Sequence, residues 1–224
     1  MKIGRHVLAN GLRLLHYYDA STRMVTVNLM YNVGSKDEHP DHTGFAHLFE
    51  HLMFGGSAHV PDYDGVVQNA SGENNAWTMP DVTNYYLTLP ANHLETALYV
   101  ESDRMFALNI NQESLDVQKQ VVLEEFKQST LNQPYGDVAM LMRPLVYGSH
   151  PYAWPTIGKQ LSHIEQFSLE EVKDFYQRFY APDNAVLAIC GQVGFEECVA
   201  LVEKWFGDIP ARGVKPRHLP TVPP

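Results

Sequence analysis

The sequence predicts an α+β fold, with helices gathered on one face of a mostly antiparallel sheet. Three observations lead there. Short β-rich runs follow one another in hairpin fashion, most clearly at Asn10-Gly11, a strong turn signal between HVLA and LRLLHYY. Helical stretches with recognisable starts are mixed among them, such as the capping box Ser168-Leu169-Glu170-Glu171. At 224 residues and 45% hydrophobic, the chain can bury a sizeable core. Strands and helices distributed in this way pack as layers, apolar face against apolar face.

The elements follow in order. Beyond the opening hairpin, residues 24–33 (MVTVNLMYNV) alternate well enough for a strand. Residues 34–42 are polar and turn-rich, and either Asp41 or Thr43 is placed to cap the helix that comes next. Gly55-Gly56 ends that helix, as glycine does just past a C-terminus. Residues 62–70 read as a short helix. Two strands then meet at Pro80-Asp81. The second, 82–89, is rich in β-formers, whereas the first, 73–79 (ENNAWTM), is too polar for a central position and belongs at an edge.

Pro90 introduces a helix over 91–108, with Leu94, Ala97, Leu98, Met105 and Leu108 inward. Further helices are expected at 112–131, with Leu115, Val121, Val122 and Phe126 apolar, and at 136–146. HPYAWPTIG (150–158) is a loop rich in proline and aromatics. The capping box opens a helix to about Tyr180, residues 185–190 form a buried strand, and residues 195–206 form the last helix. Prolines then crowd the end, at 210, 216, 220, 223 and 224. Residues 1–209 are therefore taken as one domain and 210–224 as a linker toward a second.

A net charge of −10 and a pI near 5.5 argue against a nucleic-acid partner, which needs a basic face. No run approaches the roughly 18–20 apolar residues of a membrane span, so no membrane partner is expected. The N-terminal stretch MKIGRHVLANGLRLL lacks the features of a signal peptide. Cys190, in AVLAIC, and Cys198, in a helical stretch, read as small buried hydrophobes without a disulfide. A cytoplasmic location is the expectation.

Chemistry concentrates in HTGFAHLFEHLMFGG. On a helix, His47 and His51 are one turn apart on one face, and Glu50 projects toward the same side. Phe45, Leu48, Phe49 and Leu52 cover most of the remaining circumference, so the polar trio is buried enough to need a partner. A lone histidine on such a helix is ordinarily a satisfied core or surface residue. HxxEH is more specific, being the reverse of the zinc motif HExxH.

A catalytic zinc takes three protein ligands and keeps a fourth position for water, so one ligand must come from elsewhere. Glu124 and Glu125, in QKQVVLEEFKQ, are the candidates. Glu125 follows Val122 by three residues and Val121 by four and shares their face. Glu124 is turned away by about 100°. Either one alone could be an ordinary surface glutamate.

The segments LANGLRLL, HLFEHLMFGGS, NNAWTMPDVTNYYLTLP, LETALYVESDRM, QKQVVLEEFKQ, HPYAWPTIG and FYAPDNAVLAICGQV together resemble the pitrilysin/insulinase-type zinc metallopeptidases, and among them the bacterial processing-protease branch. The resemblance spans nearly the whole chain. It implies a two-layer metallohydrolase sandwich of the processing-peptidase type. It also implies one Zn2+ held by His47, His51 and Glu125, the last falling 74 residues after His51, with Glu50 as general base. Asn75 and Ala76 would offer backbone contacts to an extended peptide adding to the edge strand. Asp103, Arg104 and His150 would be structural, and His42, His59, Trp77 and Trp154 would lie outside the metal chemistry. Gln118 departs from the family, which commonly has an acidic residue there.

The resemblance further implies a partner: a C-terminal half-domain or second subunit that closes over the peptide. Two other functions compete. One is a non-catalytic scaffold of the same fold, which would lose HxxEH residues. The other is a lyase similar to S-ribosylhomocysteine lyase, which uses HxxEH with a cysteine ligand, and neither Cys190 nor Cys198 has a matching context.

Overall fold

The computed structural model of the protein describes residues 2–215 and 217–221. Six strands, β1 (Gly4–Val7), β2 (Arg13–Tyr18), β3 (Met24–Tyr31), β4 (Glu73–Thr78), β5 (Thr83–Pro90) and β6 (Ala185–Gly191), form one sheet in the order β1-β2-β6-β3-β5-β4. Every neighbouring pair is antiparallel except β2 and β6. The expected α+β architecture is present, and β4 lies at an edge as its polarity predicted.

Period-two burial sets the sheet's orientation. Val25, Val27, Leu29 and Tyr31 of β3, Leu87 and Leu89 of β5, and Leu187 and Ile189 of β6 are buried beneath the helices. The other face is more polar, with Thr26 bonded to Thr88 and Asn28 to Asn84. Cys190 lies on this open face and is exposed, contrary to the expectation of a buried thiol. Strand alternation decides the matter: Leu187 and Ile189 take the inner face, so Cys190 must point outward. Cys198 is buried as expected.

The helical layer comprises α1 (Phe45–Leu52), α2 (Tyr63–Asn69), α3 (Leu94–Ala107), α4 (Gln112–Phe126), α5 (Val138–Tyr147), α6 (Leu161–Glu165), α7 (Leu169–Phe179) and α8 (Phe195–Phe206). The capping box at Ser168 and Glu171 is formed. The helix predicted to reach residue 131 is α-helical to Phe126 and continues as a π-turn, Lys127–Leu131. The short α6, inside a stretch without strong periodicity, was not predicted. On α4 the buried residues are Leu115, Val122, Leu123 and Phe126, while Val121 is 44% exposed. Leu115, Val122 and Phe126 are inward as expected, and Leu123 takes the place expected for Val121.

Neither Asp41 nor Thr43 caps α1. The N-cap is Gly44, at φ +96°, and the bonds at the helix start come from Glu38, whose carboxylate accepts from Gly44 N (3.0 Å) and Ala46 N (2.9 Å). Thr43 is engaged elsewhere: its amide and hydroxyl donate to His163 Nδ1, and its oxygen accepts from Lys159 N. A left-handed entry suits glycine, and a Cβ on Gly44 would stand 2.8 Å from Ile157 O.

After Ile209 no described residue is in a helix or strand. The segment is tied to the body, with Arg212 N and Val214 N bonded to Asp183 and the Arg212 guanidinium to Tyr176 O. Pro216, Pro223 and Pro224 of the expected linker lie outside the described residues.

Candidate metal centre

Helix α1 is held by its apolar side. Leu48 and Phe49 are fully buried, and Phe49 packs on Tyr180 with ring centroids 4.2 Å apart. That packing turns the opposite stripe, His47, Glu50 and His51, toward the open side of the molecule. The two imidazoles lie one helical turn apart, centroids 4.9 Å apart and nearly perpendicular.

Helix α4 crosses α1 and delivers Glu125 between the rings. His47 Nε2 is 3.6 Å from Glu125 Oε1, and His51 Nε2 is 3.4 Å from Oε2. These separations suit a shared ion, because ligands about 2.0–2.1 Å from a tetrahedral zinc stand about 3.3 Å from one another. One ligand atom from each residue lies within 4.8 Å of the others, and this is the single such group among the described residues. Glu124 instead points to solvent and pairs with Lys127. Burial drives His47 down to about 4, against the pull of Glu125 and with the help of His51. The contact with His51 holds Glu125 below the usual carboxylate range, with burial opposing. A neutral imidazole and an ionised carboxylate are the forms that bind a cation.

Glu50 is half-buried and faces β4, where the Thr78 hydroxyl donates to Glu50 Oε2. Burial raises its pKa, while Thr78 and His51 lower it. Thr78 went unnoticed in the sequence. The available signal was its place two residues after Ala76, on the face that meets the helices. Glu38 was missed as well, and a glutamate in a polar loop carries no local mark of a buried cap.

The β4 edge is open. Met79 N donates to Val82 O across the hairpin turn. Antiparallel alternation then pairs Glu73, Asn75 and Trp77 with β5 and leaves the backbone groups of Asn74, Ala76 and Thr78 on the free side. Ala76 N there donates to its neighbour's side chain, Asn75 Oδ1, at 2.8 Å. Ala76 thus presents backbone to the edge, whereas Asn75 presents its carboxamide.

The remaining singled-out residues have other partners. Asp103 accepts from Ser57 and His59, Arg104 makes a buried pair with Glu101, and His150 caps the turn Pro151–Ala153. His42 pairs with Glu171. Trp154 is buried and Trp77 is 38% exposed. Gln118, two turns before Glu125, is half-buried.

Known proteins resemble this chain in sequence and in fold. Residues 13–148 match the family described as insulinase (peptidase family M16), and residues 166–224 match the peptidase M16 inactive domain. Zinc protease PqqE of Helicobacter pylori is 29% identical over 217 residues, which cover 96% of this chain and 48% of that protein. The mitochondrial-processing peptidase subunit beta of Saccharomyces cerevisiae is 26% identical over 207 residues, 91% of this chain and 44% of its own length. A protease structure from Helicobacter pylori superposes with a TM-score of 0.90 at 29% identity, over 99% of this chain and 53% of that one. Pitrilysin, at 21% identity, shares the fold with a TM-score of 0.87. The chain spans about half the length of the curated relatives it matches. The resemblance drawn from HLFEH and its companion segments therefore holds, and the chain belongs to the insulinase-type peptidases, family M16.

Proposed function

We infer that this chain is the metal-bearing half of a zinc endopeptidase acting on extended peptides. The carrying observation is the cluster of His47, His51 and Glu125 with Glu50 beside it, directed by Thr78. Zinc bound by the three ligands would lower the pKa of a water molecule and polarise a carbonyl. Glu50, raised by burial and one residue from a ligand, is suited to accept the water's proton and return it to the leaving amine. A peptide laid along β4 would pair with the outward backbone of Asn74, Ala76 and Thr78, the Asn75 carboxamide releasing Ala76 N as it does so.

Because the chain spans about half of its relatives, the activity is assigned to the assembled protein. In this reading residues 1–209 are the catalytic domain, and residues 210–224 lead to a second half or subunit that covers the peptide. A cytoplasmic location is part of the reading, supported by the free thiols of Cys190 and Cys198.

The test combines metal analysis with a quenched-peptide assay, with and without chelator. Bound zinc and chelator-sensitive cleavage are expected of the intact protein. Glu125→Ala should lose the metal while Glu124→Ala keeps it, and equal metal content in the two would refute the ligand assignment. Zinc without cleavage in the intact protein would support the scaffold reading instead.

A further inference from the structure

The loop HPYAWPTIG takes no part in the metal chemistry, yet it touches both parts of the site. At one end it holds the start of α1. Trp154 Nε1 donates to Ser35 O (2.9 Å) and to Glu38 Oε2 (3.1 Å), the carboxylate that bonds Gly44 N and Ala46 N. Gly158 packs so closely on Thr43 that a Cβ there would stand 2.9 Å from Thr43 O. At the other end it holds the β4–β5 hairpin. Tyr152 Oη donates to Asp81 at the tip, 2.7 Å from Oδ1 and 2.9 Å from Oδ2. Lys36 grips the same tip through the backbone oxygen of Asp81.

These contacts close a ring. The hairpin meets α1 at Thr78–Glu50, and the loop joins the hairpin tip back to the N-terminus of α1 through Tyr152, Trp154 and Glu38. β4 is carried by its pairing with β5, and Thr78–Glu50 is the side-chain bond that ties it to the metal helix. At the tip, Ser35 N and Lys36 N bond Met79 O and Pro80 O, and the loop adds the side-chain tie through Tyr152 that further limits movement of the hairpin relative to α1.

We propose that the 150–158 loop is a positioning strut, with Tyr152 as the residue that sets the distance between the peptide-receiving edge of β4 and the metal helix. The inference rests on the peptidase reading for its kinetic consequence, although the strut itself is a statement about β4 and α1. A peptide bound on the edge travels with β4, while the metal and Glu50 travel with α1. A displacement of about 1 Å between reacting groups can cost on the order of a hundredfold in rate. Tyr152 bonds the hairpin tip at Asp81 and is not among the metal-ligand cluster, so its loss should spare binding and impair turnover.

The experiment compares wild type, Tyr152→Phe, Asp81→Ala and Asp81→Asn in the intact zinc-loaded protein. It reads hydrogen exchange of β4 amides, bound zinc, and kcat and KM on a quenched peptide. Tyr152→Phe and Asp81→Ala should each speed β4 exchange and lower kcat by about tenfold, with KM within about twofold and zinc content unchanged. Asp81→Asn keeps an acceptor for the phenol and should stay near wild type. Wild-type exchange in Tyr152→Phe would overturn the proposal, and so would loss of zinc together with kcat. If wild type cleaves no peptide, the peptidase reading falls while the exchange measurement still decides the strut.

Discussion

Glu50 is placed by two different kinds of neighbour. His51, next in sequence, ties it to the metal face. Thr78, from another element, bonds its carboxylate and aims it along β4. Replacing Glu50 with Gln keeps the three ligands and removes the proton acceptor. Zinc content should therefore be unchanged by elemental analysis, while kcat falls by about 10²–10⁴-fold in a peptide assay. Cleavage at the wild-type rate would remove Glu50 from this role. His47, Glu50 and His51 were legible in the sequence because their geometry depends only on the helical period. Glu125 was separable from Glu124 by helix face, but its meeting with the histidines depends on how α4 crosses α1. Thr78 left only a weak signal for the same reason, since its partner lies 28 residues away.

At the scale of the element, α1 is anchored by groups that α1 does not contain. Burial raises the pKa of Glu38, while the donors from Ala46, Gly44 and Trp154, which meet both of its oxygens, oppose the rise and favour the carboxylate. In Glu38→Gln an amide nitrogen must face at least one of those N–H groups. A buried donor left unpaired costs about 1–3 kcal/mol. For a chain of this size that corresponds to a fall in Tm of roughly 2–12 °C, measurable by scanning fluorimetry. An unchanged Tm would show that the carboxylate does not hold the helix.

His163 anchors the same turn and makes it sensitive to pH. Thr43 donates to its Nδ1 twice, so the ring must be unprotonated there. Burial lowers its pKa, Lys159 and His42 act in the same direction, and Asp41 opposes. With the folded value below the unfolded one, near about 6.5, the unfolded chain binds the proton first. Stability is then full above that pH and declines as pH falls through it. His163→Asn keeps an acceptor at the Nδ1 position without titrating and should flatten the dependence of Tm on pH below about 6.5. An identical pH profile in wild type and variant would exclude His163 as the source.

At the scale of the whole molecule, β6 arrives late in the chain and enters the middle of the sheet, between β2 and β3. The two family matches, 13–148 and 166–224, therefore build one sheet together. Removing residues 166–224 would take β6 from between β2 and β3, leaving each with one paired neighbour instead of two and splitting the sheet. Such a truncation should show no cooperative thermal transition by circular dichroism. A sharp transition like that of the intact protein would mean that the first segment folds alone.

The sequence alone determined the local features. Asn10-Gly11 made a hairpin, the Ser168 box started a helix, polarity sent β4 to an edge, and HLFEH placed two imidazoles and a carboxylate on one face. Each follows from turn chemistry or residue period, which act within a few positions. Only the tertiary structure decided that Glu38 holds α1, that β6 divides the sheet, and that Tyr152 and Trp154 join β4 to the metal helix. Those outcomes depend on which distant segments meet. Packing and the need to pair buried polar groups choose the meeting, and no local pattern in the chain records it.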